Sequence, residues 1–417
     1  MTNAFHYSCE GESHKATGKV CQDHSLTCSV DGLTVAIVCD GHGGERYFRS
    51  QYGSEMVVNI TKEAIRSFVA NMEQSSFTPK SSRSVFDAKH FTAYSSAMEG
   101  EQLEHTNAHK ALTWLFSHII TQWNQAIAEH ARNNDLSEWE EEHVEQKYKD
   151  EFRAMRASED ATFEKTYGCT LMAYVQTPGY WFAFHLGDGK CVSMRISDNQ
   201  ELICEQPIPW DEKCFLNKTT SLCDSNALNE FRYCYQGDGK FPRAVFLGSD
   251  GIDDSYGDGE ILNNFYIQLF KIIIRKGNES ALKELKKSLP IISQRGSKDD
   301  MSVACVYDDT ALIAMFQFLT AYQQKVMEND QAVIDEKKQN LEQKILNFGD
   351  PEKLDKSQLI NLEYARKDLA KAEEQSVRLK KRMTSLKGEI TKFKNQMQTE
   401  LSDNDESQEE IALSAEE

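Results

Sequence analysis

The sequence predicts an α+β protein in which two β-sheets are flanked by helices and followed by a C-terminal α-helical extension. Three observations carry that reading. Leu33 to Cys39 is a near-continuous β-branched run, as a strand buried on both faces requires. Short apolar runs bounded by turn residues recur from Cys169 to Ile196, between long segments of helical spacing. Beyond Asp309 the strands give way to helix-forming sequence that continues almost to the end.

Taken in order, residues 1–40 carry turn residues and short apolar runs that end in Leu33–Cys39. Residues 53–71 place apolar side chains at helical spacing, and Ala108 to Ala128 does so again. Between them the chain is polar and Ser-rich, and Glu138 to Lys149 reads as an exposed helix. The stretch of about 71–160 is therefore expected to be a helical and loop insertion, serving as a substrate-recognition flap or as packing decoration. Cys169–Val175, Tyr180–Leu186 and Lys190–Ile196 read as a β-meander, with Thr-Pro-Gly at one turn and Gly-Asp-Gly at the other. Arg243–Leu247 leads into Gly-Ser-Asp-Gly, a helix is expected from Glu260 to Arg275, and Met301–Tyr307 is the last strand. This block, residues 1–310, is the expected main domain.

Residues 311–401 form the extension, broken at Asn347–Pro351. In its second half Leu362, Ala365, Leu369, Ala372, Leu379, Met383, Leu386, Ile390, Phe393 and Met397 follow a heptad seam, with Ser376 as the polar interruption. Two readings fit this pattern: a helical hairpin closing on itself, or a coiled coil through 352–401 that docks a partner or a second copy. Residues 402–417, acidic and without a basic side chain from Glu400 onward, read as a disordered tail.

A net charge of −19 argues against nucleic acid or an anionic membrane surface as the main partner. None of the 11 cysteines is spaced as CxxC, so neither a zinc ribbon nor a thioredoxin-like site is suggested. The N-terminal residues lack the apolar core of a secretory signal, and no apolar run is long enough to span a bilayer. The expectation is a protein of the reducing cytoplasm.

Asp-Gly pairs occur at Asp31, Asp40, Asp188, Asp238, Asp250 and Asp258. Asp31, Asp238 and Asp258 sit in polar surroundings and read as turns. Asp40, Asp188 and Asp250 instead stand at the ends of apolar strands, and Asp299-Asp300 immediately precedes another. Four strand-end carboxylates that converged would repel one another unless cations neutralised them. Hard oxygen donors of this kind select Mg²⁺ or Mn²⁺.

The wording around those aspartates is more specific than any one of them. Asp40-Gly41-His42-Gly43-Gly44, Gly168-Cys169-Thr170, Gly187-Asp188-Gly189, Ser249-Asp250-Gly251-Ile252-Asp253-Asp254 and Gly296-Ser297-Lys298-Asp299-Asp300 appear in that order. Over about residues 8–308 the chain resembles the PP2C-type (PPM) metal-dependent serine/threonine phosphatases. The resemblance implies a β-sandwich of two antiparallel sheets flanked by helices, with two Mn²⁺ or Mg²⁺ ions and a weaker third at one end. It implies that Asp40 bridges both ions, that the Gly41 carbonyl ligates one, and that Asp250 and Asp299 hold the other. Asp188 and Asp254, with Asp250, match the third site. His42 matches the proposed general acid, and Asp23 a residue that holds metal-bound water. The substrate implied is a phosphoprotein.

One part of the pattern is missing. Where the family carries a phosphate-gripping arginine before an acidic pair, this chain has Gly18, followed by Gln22-Asp23. A phosphate site needs a cationic donor, and Lys19, Lys15, Arg46 or His14 is expected to replace it. The loss leaves two alternatives to protein dephosphorylation: a degenerate binding module, or a phosphatase for small phosphoesters.

Overall fold

The computed structural model describes residues 2–74, 91–94, 107–211, 214, 219–237, 239–257, 259–310 and 312–414. They form a compact unit through Ile313 and a second unit from Ala314 onward.

The first unit is built on two antiparallel sheets. One has the order β1-β11-β10-β7-β8, from Thr2–Cys9, Met301–Asp308, Ala244–Gly248, Lys190–Ile196 and Leu202–Glu205. The other has the order β2-β3-β5-β6-β9-β4, from His24–Val30, Leu33–Cys39, Leu171–Gln176, Trp181–Leu186, Arg232–Gln236 and Phe91–Tyr94.

Strand β3 is buried throughout, and its sequence is apolar but for Thr34. Successive side chains point to opposite faces of a sheet. Ala36 and Val38 face the first sheet, where they join Met172, Tyr174, Ala183, Val245, Leu247, Ala304 and Val306 in the inter-sheet core. Val35, Ile37 and Cys39 face the other way, into a larger core shared with the helices. Those helices are α2 (Ser50–Gln74) and α3 (Asn107–Asn133), whose Ile65, Phe68, Leu115, Phe116, Ile119 and Trp123 are buried there. On the outer face of the first sheet lies the helical segment Gly259–Arg295, broken by a kink at Gly277 (φ 77°); its Tyr266 stacks on Phe246 with ring centroids 4.8 Å apart.

The described part of the 71–160 stretch belongs to this helical layer. Helices α4 (Glu138–His143) and α5 (Gln146–Arg156) follow α3, and Val144 and Phe152 enter the same core. A capping box formed by Ser137 and Glu140 starts α4. Glu140 also receives Arg49 Nε at 2.7 Å and Nη2 at 2.9 Å, a buried bidentate pair tying this layer to the start of α2. Residues 75–90 and 95–106 of the expected insertion lie outside the described residues, as do Asp238 and Asp258.

One turn differs from expectation. Asp31 (φ 50°) and Gly32 (φ 82°) make the expected tight link between β2 and β3. Gly187-Asp188-Gly189 does not close a meander: β6 pairs with β5 and β9, whereas β7 pairs with β10 and β8 in the other sheet. The link crosses between sheets, and Gly187 takes φ 136°, a conformation other residues rarely adopt. Asp-Gly chemistry serves either connection equally well, so local sequence does not separate them.

The second unit is a helical hairpin of α9 (Leu312–Phe348) and α10 (Lys356–Ser414). Phe316 stacks on Phe393 at 3.8 Å, Met327 clusters with Leu379, and Gln331 Nε2 donates to Ser376 Oγ at 2.9 Å. Rising numbers in α9 meet falling numbers in α10, so the two helices run antiparallel. The heptad seam is thus filled from within the chain, and the chain reverses across the short turn Pro351–Lys353, capped by Asp350. Helix α10 continues through Ser414, past residue 402 where the sequence suggested a disordered tail. Its end, Gln408-Glu409-Glu410-Ile411-Ala412-Leu413, is made mostly of good helix formers, and no Gly or Pro stops it.

Candidate metal centre and its cleft

Each candidate aspartate is placed by the end of a regular element. Asp40 leaves β3 beside the residue that opens β5: its N–H donates to Thr170 Oγ1 at 3.0 Å, and its carbonyl accepts the Thr170 N–H at 2.8 Å. The His42 N–H donates to the Gly168 carbonyl at 3.1 Å. This pairing is why Gly-Cys-Thr accompanies Asp-Gly-His so far away in sequence. Gly41 packs on the opening segment so closely that a Cβ there would collide with the Gln22 carbonyl oxygen.

Asp250 is the first residue of the helix Asp250–Tyr256, directly after β10. Asp299 accepts the Asp300 N–H at 2.8 Å just before β11. Asp188 rides on the link between the sheets, whose Gly187 carbonyl is held by the buried Arg232.

These residues converge. Carboxylate oxygens of Asp40, Asp188 and Asp250 lie within 4.8 Å of one another. They open into a cleft of about 2070 Å³ that is also lined by Gly41, His42, Asp253, Asp254 and Asp299. Asp23 sits beneath, buried.

The electrostatics are those of carboxylates forced together. Burial, and then repulsion from Asp250 and Asp23, pushes Asp40 well above the usual carboxylate range. Burial raises Asp250 to about 7, with Asp188, Asp299 and Asp254 adding to it against a lowering hydrogen bond from Asp40. Asp253 rises to about 8 through burial, although Lys190 opposes the shift. Asp188, Asp299 and Asp23 are raised for the same leading reason. Buried Asp23 Oδ2, Asp253 Oδ1 and Gln22 Oε1 have no hydrogen-bond partner. Crowded hard oxygens with unpartnered lone pairs fit divalent cations such as Mg²⁺ or Mn²⁺.

His42 lines the same cleft. Its Nε2 lies 2.7 Å from Ser221 Oγ, and its ring meets Tyr47 edge-on at 4.8 Å. Burial draws the imidazole down to about 4, with Lys165 adding to the shift and Asp224 opposing it, so at neutral pH the ring is uncharged. Ser221 N–H donates to Asp224 Oδ2 at 2.9 Å, and Asp224 Oδ1 receives Lys165 Nζ at 3.2 Å.

The four expected phosphate-binding residues do not line this cleft. His14 Nδ1 pairs with Asp300 Oδ2 at 2.9 Å, buried. The same Asp300 carboxylate accepts the N–H groups of Gly11 at 2.6 Å and Gln22 at 2.5 Å, and despite its burial these bonds hold it below the usual range. Lys19 Nζ donates to the Gly43 carbonyl at 2.9 Å, Arg46 pairs with Glu151 at 2.7 Å, and Lys15 is exposed on the short helix Glu12–Thr17. They serve the backbone and surface of the opening segment. Among the described lining residues, Lys165 is the basic one. Sequence reading missed Ser221, Asp224 and Lys165, because their loop carries no motif and Lys165 only precedes Gly168-Cys169-Thr170.

A two-sheet sandwich with helices on both outer faces and an aspartate-lined cleft at its strand ends defines an α+β protein whose carboxylate cluster fits divalent cations. A sequence profile described as Protein phosphatase 2C matches residues 10–289, and the chain belongs to that family. Solved structures similar to it include PppA, a regulatory component of T6SS in Pseudomonas aeruginosa, at 15% identity and TM-score 0.39, covering 73% of this chain and 97% of that one. Stp1 from Staphylococcus aureus is 15% identical at TM-score 0.40, covering 74% and 96%. A serine/threonine phosphatase of S. agalactiae is 14% identical at TM-score 0.40, covering 74% and 100%. No curated protein matches the chain. Among the described residues, no helix is long and apolar enough to cross a membrane.

Proposed function

We propose that this chain hydrolyses phosphoserine and phosphothreonine in proteins, using divalent cations held by its aspartates. The observation that carries the reading is the convergence of Asp40, Asp188 and Asp250 in a cleft shared with His42, Asp254 and Asp299. Asp40, the Gly41 carbonyl, Asp250 and Asp299 would hold two Mn²⁺ or Mg²⁺ ions, and Asp188 and Asp254, with Asp250, a third. Such ions, when bound, supply charge neutralisation and activate water for in-line attack on phosphorus. Asp23, with an unpartnered oxygen, orients that water. His42, fixed by Ser221, is uncharged in the empty cleft; the negative charge of an entering phosphate favours its protonated form, which would give its proton to the departing serine or threonine oxygen as the P–O bond breaks.

The test is Mn²⁺-dependent hydrolysis of p-nitrophenyl phosphate and of a phosphothreonine peptide, with Asp250→Ala abolishing both. Failure to turn over any phosphoester in Mn²⁺ or Mg²⁺ would sink this reading. It would leave a binding module, which the absence of an arginine from the described cleft lining favours.

The reading places the protein in the cytoplasm, among phosphoproteins. For 352–401 it assigns docking of a partner helix or second copy to the outer face of α10, where Leu359, Ile360, Tyr364 and Val377 are exposed. Sedimentation equilibrium of the full chain tests for self-association.

A further inference from the structure

The cleft lining has two unlike sets of residues: the aspartate cluster, and His42, Ser221, Asp224 and Lys165. A phosphate group entering it meets carboxylates that cations can neutralise, but its remaining oxygens need a charged donor from the protein. Of the basic groups of the opening segment, His14 is held by Asp300, Lys19 donates to the Gly43 carbonyl, and the exposed Lys15 does not line the cleft. Lys190, two residues after Asp188, pairs with Asp253 at 3.7 Å and lies 3.2 Å above the Trp210 ring.

Lys165 differs from all of these. Its ammonium stands 3.2 Å from Asp224 Oδ1 and 3.6 Å from Cys223 Sγ, and the Lys165 and Asp224 side chains are 42% and 36% exposed. An ion pair so open to water is weak and easily exchanged. Asp224 would not be stranded by the exchange, because its other oxygen keeps the Ser221 N–H. The flexible four-carbon stem of a lysine lets the charge follow a ligand. Asp224 binds the N–H of Ser221, whose hydroxyl lies 2.7 Å from His42 Nε2, so the Lys165–Asp224 pair is linked to the imidazole through one residue.

We propose that Lys165 is the phosphate-binding cation of this cleft, paired with Asp224 at rest and exchanging it for a phosphate oxygen when substrate or product is bound. The proposal rests on the phosphatase reading only for its substrate, since binding of phosphate itself needs no turnover.

The test uses the full chain loaded with Mn²⁺ and inorganic phosphate as the probe, followed by isothermal titration. Lys165→Ala should weaken phosphate binding by roughly tenfold to a hundredfold, the scale of one charge-assisted contact. KM for p-nitrophenyl phosphate should rise by a similar factor. Mn²⁺ affinity and Tm should stay those of the parent, and Lys165→Arg should restore most of the phosphate affinity. Asp224→Asn, which removes the competing charge, should tighten phosphate binding. Unchanged phosphate affinity in Lys165→Ala overturns the proposal. So does an equal loss of Mn²⁺ affinity, which would mark Lys165 as structural. A parent chain that binds phosphate through Lys165 yet hydrolyses nothing would refute the phosphatase reading and leave this one standing.

Discussion

Thr170 grips the backbone of Asp40 from both directions, its Oγ1 taking the Asp40 N–H at 3.0 Å and its own N–H reaching the Asp40 carbonyl at 2.8 Å. The carboxylate at the middle of the proposed centre is thus aimed by a residue that opens a different strand, 130 positions away.

Replacing Thr170 with valine keeps the shape of the side chain and removes one of these bonds. The Asp40 N–H is then left without its partner, which costs about 1–3 kcal/mol when such a group is enclosed. The expected outcome is a chain less stable by that amount in urea and binding Mn²⁺ more weakly by calorimetry. Parent-like Mn²⁺ affinity would show that Thr170 supports the fold and not the aim of Asp40.

The aspartate cluster makes the cation-free protein sensitive to pH in a defined direction. Burial lifts Asp250 to about 7 and Asp253 to about 8 from 3.8, and Asp40, Asp188 and Asp299 are raised as well. The folded state therefore keeps protons that the unfolded chain has released, and folding stability falls as pH rises from about 4 to about 8. Thermal denaturation in EDTA should show Tm decreasing across that window. The gain in Tm on adding Mn²⁺ should be larger at pH 8 than at pH 5, since cations compete with those protons.

In the hairpin, Gln331 Nε2 donates to Ser376 Oγ, while Gln331 Oε1 is buried without a partner. Changing Ser376 to alanine alone should destabilise the hairpin by about 1 kcal/mol, by removing the acceptor. Changing Gln331 to leucine and Ser376 to alanine together should recover most of that loss, because the buried pair leaves together and the half-buried Asp335, which also accepts from Gln331 Nε2 at 2.9 Å, can turn to water. A calorimetric scan of the full chain that resolves the hairpin transition reads the difference.

Much of the fold is legible locally. Burial of both faces explains why β3 is apolar at every position but Thr34, and the strand-end placement of Asp40, Asp250 and Asp299 follows from the strands before or after them. What escapes is set by partners distant in sequence. His14 looks like an available surface cation until Asp300, 286 residues away, captures it. Gly187-Asp188-Gly189 has the composition of a hairpin turn, and only the pairing of β7 with β10 makes it a crossing. The buried Arg49–Glu140 pair likewise joins segments whose sequences announce only exposed charge. Lys165 could have been suspected from its place before Gly168-Cys169-Thr170, but nothing nearby marks Ser221 or Asp224.

The crossing at Asp188 has a mechanical consequence. Asp40 extends from one sheet, Asp250 and Asp299 from the other, and Asp188 from the strap between them. Whatever draws these four together also rivets the two sheets at their open end. Escape from the folded basin then requires that rivet to fail first, so occupancy of the cleft governs how slowly the sandwich comes apart, beyond how favourable its folding is.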